Sequence, residues 1–302
     1  MEWFLFALLA PILFAIGNVI DKFALTKKLR DPFSYNIITI FIGIIPTILV
    51  PLFLPISFEW QYLLGILYGV IFSVIYVLYN KAMMEGEVSR MVSIMYMIPV
   101  FTMVLSTIFL QEYLSLENYP IKYFGVILLV ISAILVSYKK EKRKKHLVLS
   151  PIIIMLIYAF GSASMKVLSK YVLNFIDYWS FFFWGLIGNL IGAFILLITI
   201  SHVRKNFVKD ILRIDKRTWS LLFLTDFFNY AAYLVLFIAI SLGFVSLVMG
   251  VASIQPMIVF IFVLFLSLYK PHHLKEEITK SIILLKALAV ILIFVGGYFI
   301  TI

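Results

Sequence analysis

The sequence predicts an all-α integral membrane protein, its ten transmembrane helices arranged as two inverted five-helix repeats. Three observations carry that expectation. Of 302 residues, 64% are hydrophobic and only 13% are charged, against roughly half and a quarter in soluble domains. The apolar residues come in runs of about twenty, which is what a helix rising 1.5 Å per residue needs to cross about 30 Å of hydrocarbon. Finally, the second half of the chain repeats residue spacings of the first. A β-barrel is disfavoured because its strands would be about ten residues of alternating polarity, and helices are the other way to satisfy a backbone in lipid. Ten spans leave no room for a separate soluble catalytic or nucleotide-binding domain.

In chain order the apolar stretches fall near 3–22, 35–56, 61–82, 91–110, 121–138, 149–168, 178–200, 219–240, 244–268 and 281–301. The first is preceded by Met1 and Glu2 without Lys or Arg, so it is expected to be a retained span rather than a secretory signal. An even number of spans puts both termini on one side. The connections 1–2, 3–4, 5–6, 7–8 and 9–10 hold 22 of the 25 basic residues, and the opposite face holds Lys122, Lys166 and Lys170. Positive charge marks the cytoplasmic side, so a multi-pass cell-membrane protein with extracytoplasmic termini is expected. The tract Lys139 to His146 reads as a topology determinant, with an anionic-lipid or nucleic-acid surface as the competing reading. No nucleic-acid partner is expected. Without cysteine, disulfides, zinc–thiolate sites and thiolate catalysis are excluded.

That basic hinge, 139–148, divides the chain into units 1–138 and 149–302, and the units match each other. Ala15, Gly17 and Lys22 in the first span recur as Ala159, Gly161 and Lys166. Asp31 and Ser34 ahead of the second span recur as Asp177 and Ser180. Ala82, Gly86, Val88, Ser89 and Pro99 recur at the same spacing as Ala239, Gly243, Val245, Ser246 and Pro256. With five spans per unit, the second copy enters from the opposite face, giving inverted repeats. If the units can exchange conformations, an inward-open cavity becomes an outward-open one, with Pro and Gly allowing the helices to bend.

The stretch Gly86-Glu87-Val88-Ser89, followed by Ile98-Pro99-Val100-Phe101, Leu110-Gln111-Glu112-Tyr113-Leu114 and the Gly125 span, resembles the EamA domain of the drug/metabolite transporter superfamily. Gly243-Phe244-Val245-Ser246 and Gln255-Pro256 repeat the pattern. The resemblance implies a ten-helix exporter or exchanger of small metabolites, commonly amino acids, with relatives that move nucleotide sugars and sugar phosphates. One departure stands out: the position of Glu112 is taken by Tyr269 in the second half.

Polar residues on one face of a membrane helix usually point into the bundle. Asp226, Asn229, Tyr230 and Tyr233 lie at i, i+3, i+4 and i+7 on span 8; span 3 aligns Gly69, Phe72, Ser73 and Tyr76 with them, followed by Asn80. Spans 4 and 9 carry Ser89, Ser93 and Tyr96 against Ser246, Gly250 and Ser253. Aromatic walls with a few donors and acceptors suit a small zwitterionic solute; the competing reading is hydrogen-bonded glue between helices. Asp226 reads as the only acid well inside a span. It is a candidate for proton coupling, for an ammonium contact or for a pair with Lys22. Lys22 and Lys166, one turn after Asn18 and Ser162, read as anion contacts at two cavity mouths or as snorkelling anchors. His272, His273, Glu276 and Glu277 make a poor metal site, with no further ligands, and no cofactor or metal is expected.

The chain has no Gly-x4-Gly-Lys-Ser/Thr loop for nucleotide hydrolysis and no Thr-Val-Gly-Tyr-Gly filter. The expectation is therefore a transporter rather than an enzyme: a secondary-active or facilitative carrier of amino-acid-like solutes, with protons as a candidate coupling ion. The alternatives are a nucleotide-sugar or organophosphate exchanger using both lysines, and a membrane transferase acting on a lipid-linked group.

Overall fold

The computed structural model describes residues 2–27, 29, 31–53, 56, 59–112, 149–269 and 280–301, with single positions between 121 and 135. The described residues are helical and contain no strand. Among the described residues, eight segments are long and apolar enough to cross a membrane, and Ile283–Phe299 forms a shorter apolar stretch. The predicted fifth span, the hinge 139–148 and the His272 cluster lie largely or wholly outside the described residues.

Helix α1 (Glu2–Lys27) runs past the predicted end of the first span, because Lys22 does not stop it. The second span is two helices, α2 (Pro32–Ile42) and α3 (Ile44–Phe53), joined at Gly43. Asp31 caps α2 by accepting from the Ser34 amide at 2.8 Å, and Asp177 caps α8 (Tyr178–Thr199) through the Ser180 amide at 2.9 Å. The matched Asp-x-x-Ser pairs are thus helix starts, where a carboxylate satisfies a free amide.

After α4 (Tyr62–Glu85), the fourth span is again divided, into α5 (Val88–Met95) and α6 (Ile98–Phe109). In the second half α7 (Leu149–Leu173) precedes α8, and α10 (Lys216–Leu242) is followed by α11 (Val245–Ala252) and α12 (Gln255–Tyr269). Pro99 and Pro256 sit in the first turns of α6 and α12, where proline's missing amide costs nothing. The restart after Tyr96 and after Ser253 is therefore written into the sequence at matched places. Two elements complete the set: α9 (Ser201–Ile211), a polar-faced helix that the apolar runs do not reveal, and α13 (Lys280–Thr301).

Packing crosses between the halves. Helix α1 lies along α10, and α4 lies along both α7 and α8. Close approach is made by glycine. A Cβ on Gly17 would stand 2.9 Å from Asn229 Cγ, and one on Gly69 would stand 2.6 Å from the Asn189 amide nitrogen and 2.8 Å from Gly188 C. At Gly69, α4 and α8 touch backbone to backbone. The sequence-matched pair, α10 and α2, presents Asp226 where α4 has Gly69, and Thr39 and Ile42 where α8 has Gly185 and Gly188. A cavity lined by Asp226 and Thr39 lies between α10 and α2.

Candidate functional site: a chamber of two compartments

The first compartment, about 60 Å³, is walled by α2, α4, α8 and α10 and includes Asn36, Ser73, Asn189, Asp226, Asn229 and Tyr230. The second, about 50 Å³, is walled by α1, α4, α7 and α10 to α12 with residues of α5 and α6; Asn18, Tyr96, Tyr158, Ser162, Lys166 and Gln255 border it. Each exceeds the 10–15 Å³ or so that one water needs. Tyr76 and Tyr233 line both compartments and stand between them.

Ten of the fourteen sequence-predicted residues are thereby brought together: Asn18, Ser73, Tyr76, Tyr96, Ser162, Lys166, Asp226, Asn229, Tyr230 and Tyr233. The other four border neither compartment. Lys22 Nζ donates to the Met83 carbonyl at 2.6 Å and to the Gly86 carbonyl, at the C-terminus of α4; a cation there satisfies carbonyls the helix leaves free. Asn80 donates to Asn36 Oδ1 at 3.5 Å. Ser93 is buried. Ser253 donates to the Gly250 carbonyl at 2.6 Å and reaches Ile293 O at 3.5 Å on α13. These are bonds within and between helices, the glue reading of such residues.

Asp226 is not the only acid inside a span. Asp21, 1% exposed, lies in α1 and accepts from four side chains. Tyr35 donates at 2.5 Å and Thr225 at 2.9 Å to Oδ1, while Tyr79 at 3.2 Å and Asn229 at 3.5 Å donate to Oδ2. The network continues: Asn18 donates to Tyr79 Oη at 2.6 Å, Gln255 donates to Asn18 Oδ1, and Tyr96 donates to Gln255 Oε1. One hydrogen-bonded line therefore joins both halves. Sequence reasoning misses Asp21 because it directly precedes Lys22 at the edge of the apolar run. Gln255 stands out in the sequence only as the neighbour of Pro256, with no polar stripe of its own.

Asp226 contrasts with Asp21. Its Oδ2 is buried with no hydrogen-bond partner among the described residues, and the residue faces the first compartment. Lys22, the partner envisaged for it, is held by α4. One turn on, Tyr230 donates to the Thr39 carbonyl at 3.1 Å and bridges α10 to α2 across the cavity.

At one edge of the bundle Gln111 adopts a left-handed conformation (φ 51°) that ends α6 and delivers Glu112 to the N-terminus of α11. Glu112 accepts from the Val245 amide at 3.1 Å and from the Ser246 amide and hydroxyl at 3.4 and 3.1 Å. The sequence places Tyr269 at the matched position, so this cap has no carboxylate counterpart there.

The Gly86-Glu87-Val88-Ser89 stretch leads into the broken helix α5–α6, and its repeat Gly243-Phe244-Val245-Ser246 leads into α11, whose N-terminus Glu112 caps. Residues 1–138 match the EamA-like transporter family. That EamA-like part supplies α1 to α6 and hence Asn18, Asp21, Ser73, Tyr76 and Tyr96. The family is one of drug and metabolite transporters, which supports a multi-pass membrane transporter that meets lipid and a small-molecule solute. A solved structure described only as a protein is similar over 99% of this chain and 96% of its own, with a TM-score of 0.62 and 15% identity. This is a likeness of fold, and it extends through the half beyond the EamA-like match. No curated protein matches the chain.

Proposed function

We propose that the chain is a secondary-active or facilitative carrier that exports or exchanges small amino-acid-like metabolites by alternating access. In this reading units 1–138 and 149–302 are inverted five-helix repeats joined by the basic hinge 139–148, and the basic loops face the cytoplasm of a cell membrane. The observation that carries it is the unequal closure of matched helix pairs: α4 meets α8 backbone to backbone at Gly69, while between α10 and α2 lies a mostly apolar cavity with a few polar groups, bridged by a Tyr230 hydrogen bond. An inverted pair in unlike states is what a carrier held in one of its two conformations presents. Asp226, whose Oδ2 has no hydrogen-bond partner among the described residues and which lines that cavity, supports a role in meeting a cation, either a proton or a substrate ammonium. The nucleotide-sugar reading uses both lysines as phosphate ligands, and it is weakened by the engagement of Lys22 with α4 carbonyls.

Counterflow in proteoliposomes, with amino acids set against sugar phosphates, tests this. The expected result is exchange of amino acids in sealed vesicles, with pH-gradient-driven flux lost in Asp226→Asn. Unchanged gradient-driven flux in that variant removes the coupling role. Chemical turnover of a substrate in detergent, without a sealed compartment, removes the carrier reading in favour of an enzyme.

A further inference from the structure

The matched lysines have parted company. In the first half Lys22 holds the Met83 and Gly86 carbonyls at the end of α4. The spacing of 157 residues that carries Ala82 to Ala239 and Gly86 to Gly243 carries Met83 to Ile240. In the second half it is Lys170, not Lys166, that donates to the Ile240 carbonyl, at 3.0 Å. One turn of helix further along, Lys170 has taken over the capping work.

Lys166 is thereby released. It is 4% exposed and borders the second compartment. Its Nζ makes no hydrogen bond or ion pair among the described residues, and it lies 4.7 Å from the Tyr233 ring centroid and 5.9 Å from that of Phe237. The acid that accompanies its counterpart is missing too. Asp21 beside Lys22 is matched by Met165, and the Asp21 donors Tyr35 and Tyr79 are matched by Phe181 and Leu236. Ring faces compensate a buried ammonium only in part, so the charged form of Lys166 lacks a full partner among the described residues and an anion in the compartment would stabilise it.

We infer that the second compartment is a carboxylate site, in which Lys166 pairs with the acid group of the transported solute while hydroxyls and amides of Ser162, Tyr158 and Gln255 border the same space. This deepens the carrier reading and rests on it. Charge selects the class: Lys166 is the one cation among the described residues lining this compartment, matching a monoanion better than a phosphate dianion, and lysine acts there as a point charge rather than a two-pronged fork. The acid among the described lining residues, Asp226, belongs to the first compartment, across Tyr76 and Tyr233. The two compartments together therefore offer opposite charges to the two ends of one solute.

The purified full-length protein in detergent is melted with acetate, propionate, L-alanine, L-leucine and L-phenylalanine, with the amide of each, and with glucose 6-phosphate. At least one acid is expected to raise the melting temperature where its amide and the sugar phosphate do not. Lys166→Met is expected to weaken apparent acid affinity by about tenfold or more, Lys166→Arg to keep part of it, and Lys170→Gln to lower the melting temperature while preserving the preference for acid over amide. The inference is overturned if no acid stabilises, if amides serve as well, if glucose 6-phosphate is preferred, or if a cooperatively melting Lys166→Met binds acids as the wild type does. The wild-type comparison of acid with amide decides the matter even where the variants do not fold. Acid-selective binding without flux in sealed vesicles would sink the carrier reading alone; counterflow indifferent to Lys166→Met would sink the carboxylate site alone.

Discussion

Two buried acids, one on α1 and one on α10, are built for opposite purposes. Asp21 accepts four donors, so its burial is compensated; Asp226 keeps a bare oxygen toward a cavity. Substituting them therefore has effects of opposite sign. Asp21→Asn replaces one accepting oxygen with a donor amide facing donors, and should cost about 2 kcal/mol or more, since breaking a buried charged network leaves several groups unsatisfied. Asp226→Asn removes an uncompensated buried carboxyl and should be neutral or stabilising by about 1 kcal/mol. Thermal melting of both variants in one detergent checks the pair, and equal losses would refute the distinction. Asp226 is legible in the sequence because a polar stripe at i, i+3, i+4 and i+7 in mid-span is too costly to turn toward lipid. Asp21 is hidden by its neighbour: an acid next to a lysine at the end of an apolar run looks like a membrane boundary, although the helix continues to Lys27. Asn80 and Ser253 lie outside both compartments, since a hydroxyl or amide bonded within the helix bundle has the same sequence spacing as one lining a cavity.

At the scale of elements, hydropathy locates the spans but not their internal breaks. Continuous apolar composition covers 35–56, 91–110 and 244–268 alike, and the chain restarts its helix at Gly43, after Tyr96 and after Ser253. Pro99 and Pro256 carry the signal, because the proline ring is tolerated in a first turn and disruptive further in. As residues in an apolar run they suggest bending; only their place in a first turn makes them helix starts. Helix α9 leaves no continuous apolar run in the sequence: it buries little more than Val203, while Arg204, Lys205 and Lys209 stay exposed. Tight pairing of α4 with α8 makes a sharp prediction. Gly69→Val places carbon where backbone already lies, at 2.6 Å from the Asn189 nitrogen. Because neither backbone can yield alone, the loss should reach about 3 kcal/mol, the upper end for overpacking, and it should appear as a large drop in melting temperature. A Gly69→Val protein as stable as wild type would mean that the two helices do not meet there.

For the molecule as a whole, the membrane character follows from composition and the helical form of the described residues from the length of the apolar runs, and the likeness of fold to a solved structure spans nearly the whole chain. Orientation is a separate matter, resting on the 22 basic residues assigned to one face. The absence of cysteine makes it directly measurable, because any introduced thiol is unique. Leu212, 80% exposed after α9, and Phe175, 56% exposed between α7 and α8, belong to opposite faces in the proposed topology. An impermeant maleimide should label Phe175→Cys on intact cells and Leu212→Cys only after permeabilisation; the reverse pattern inverts the protein in the membrane. The central pair Tyr76 and Tyr233 occupies matched positions 157 residues apart and is shared by both compartments. On the carrier proposal, a solute passing from the acid side of the chamber to the lysine side would pass the two phenol rings that border both compartments. On that proposal, trimming either tyrosine to alanine is expected to admit bulkier solutes while the charged residues of each compartment stay in place.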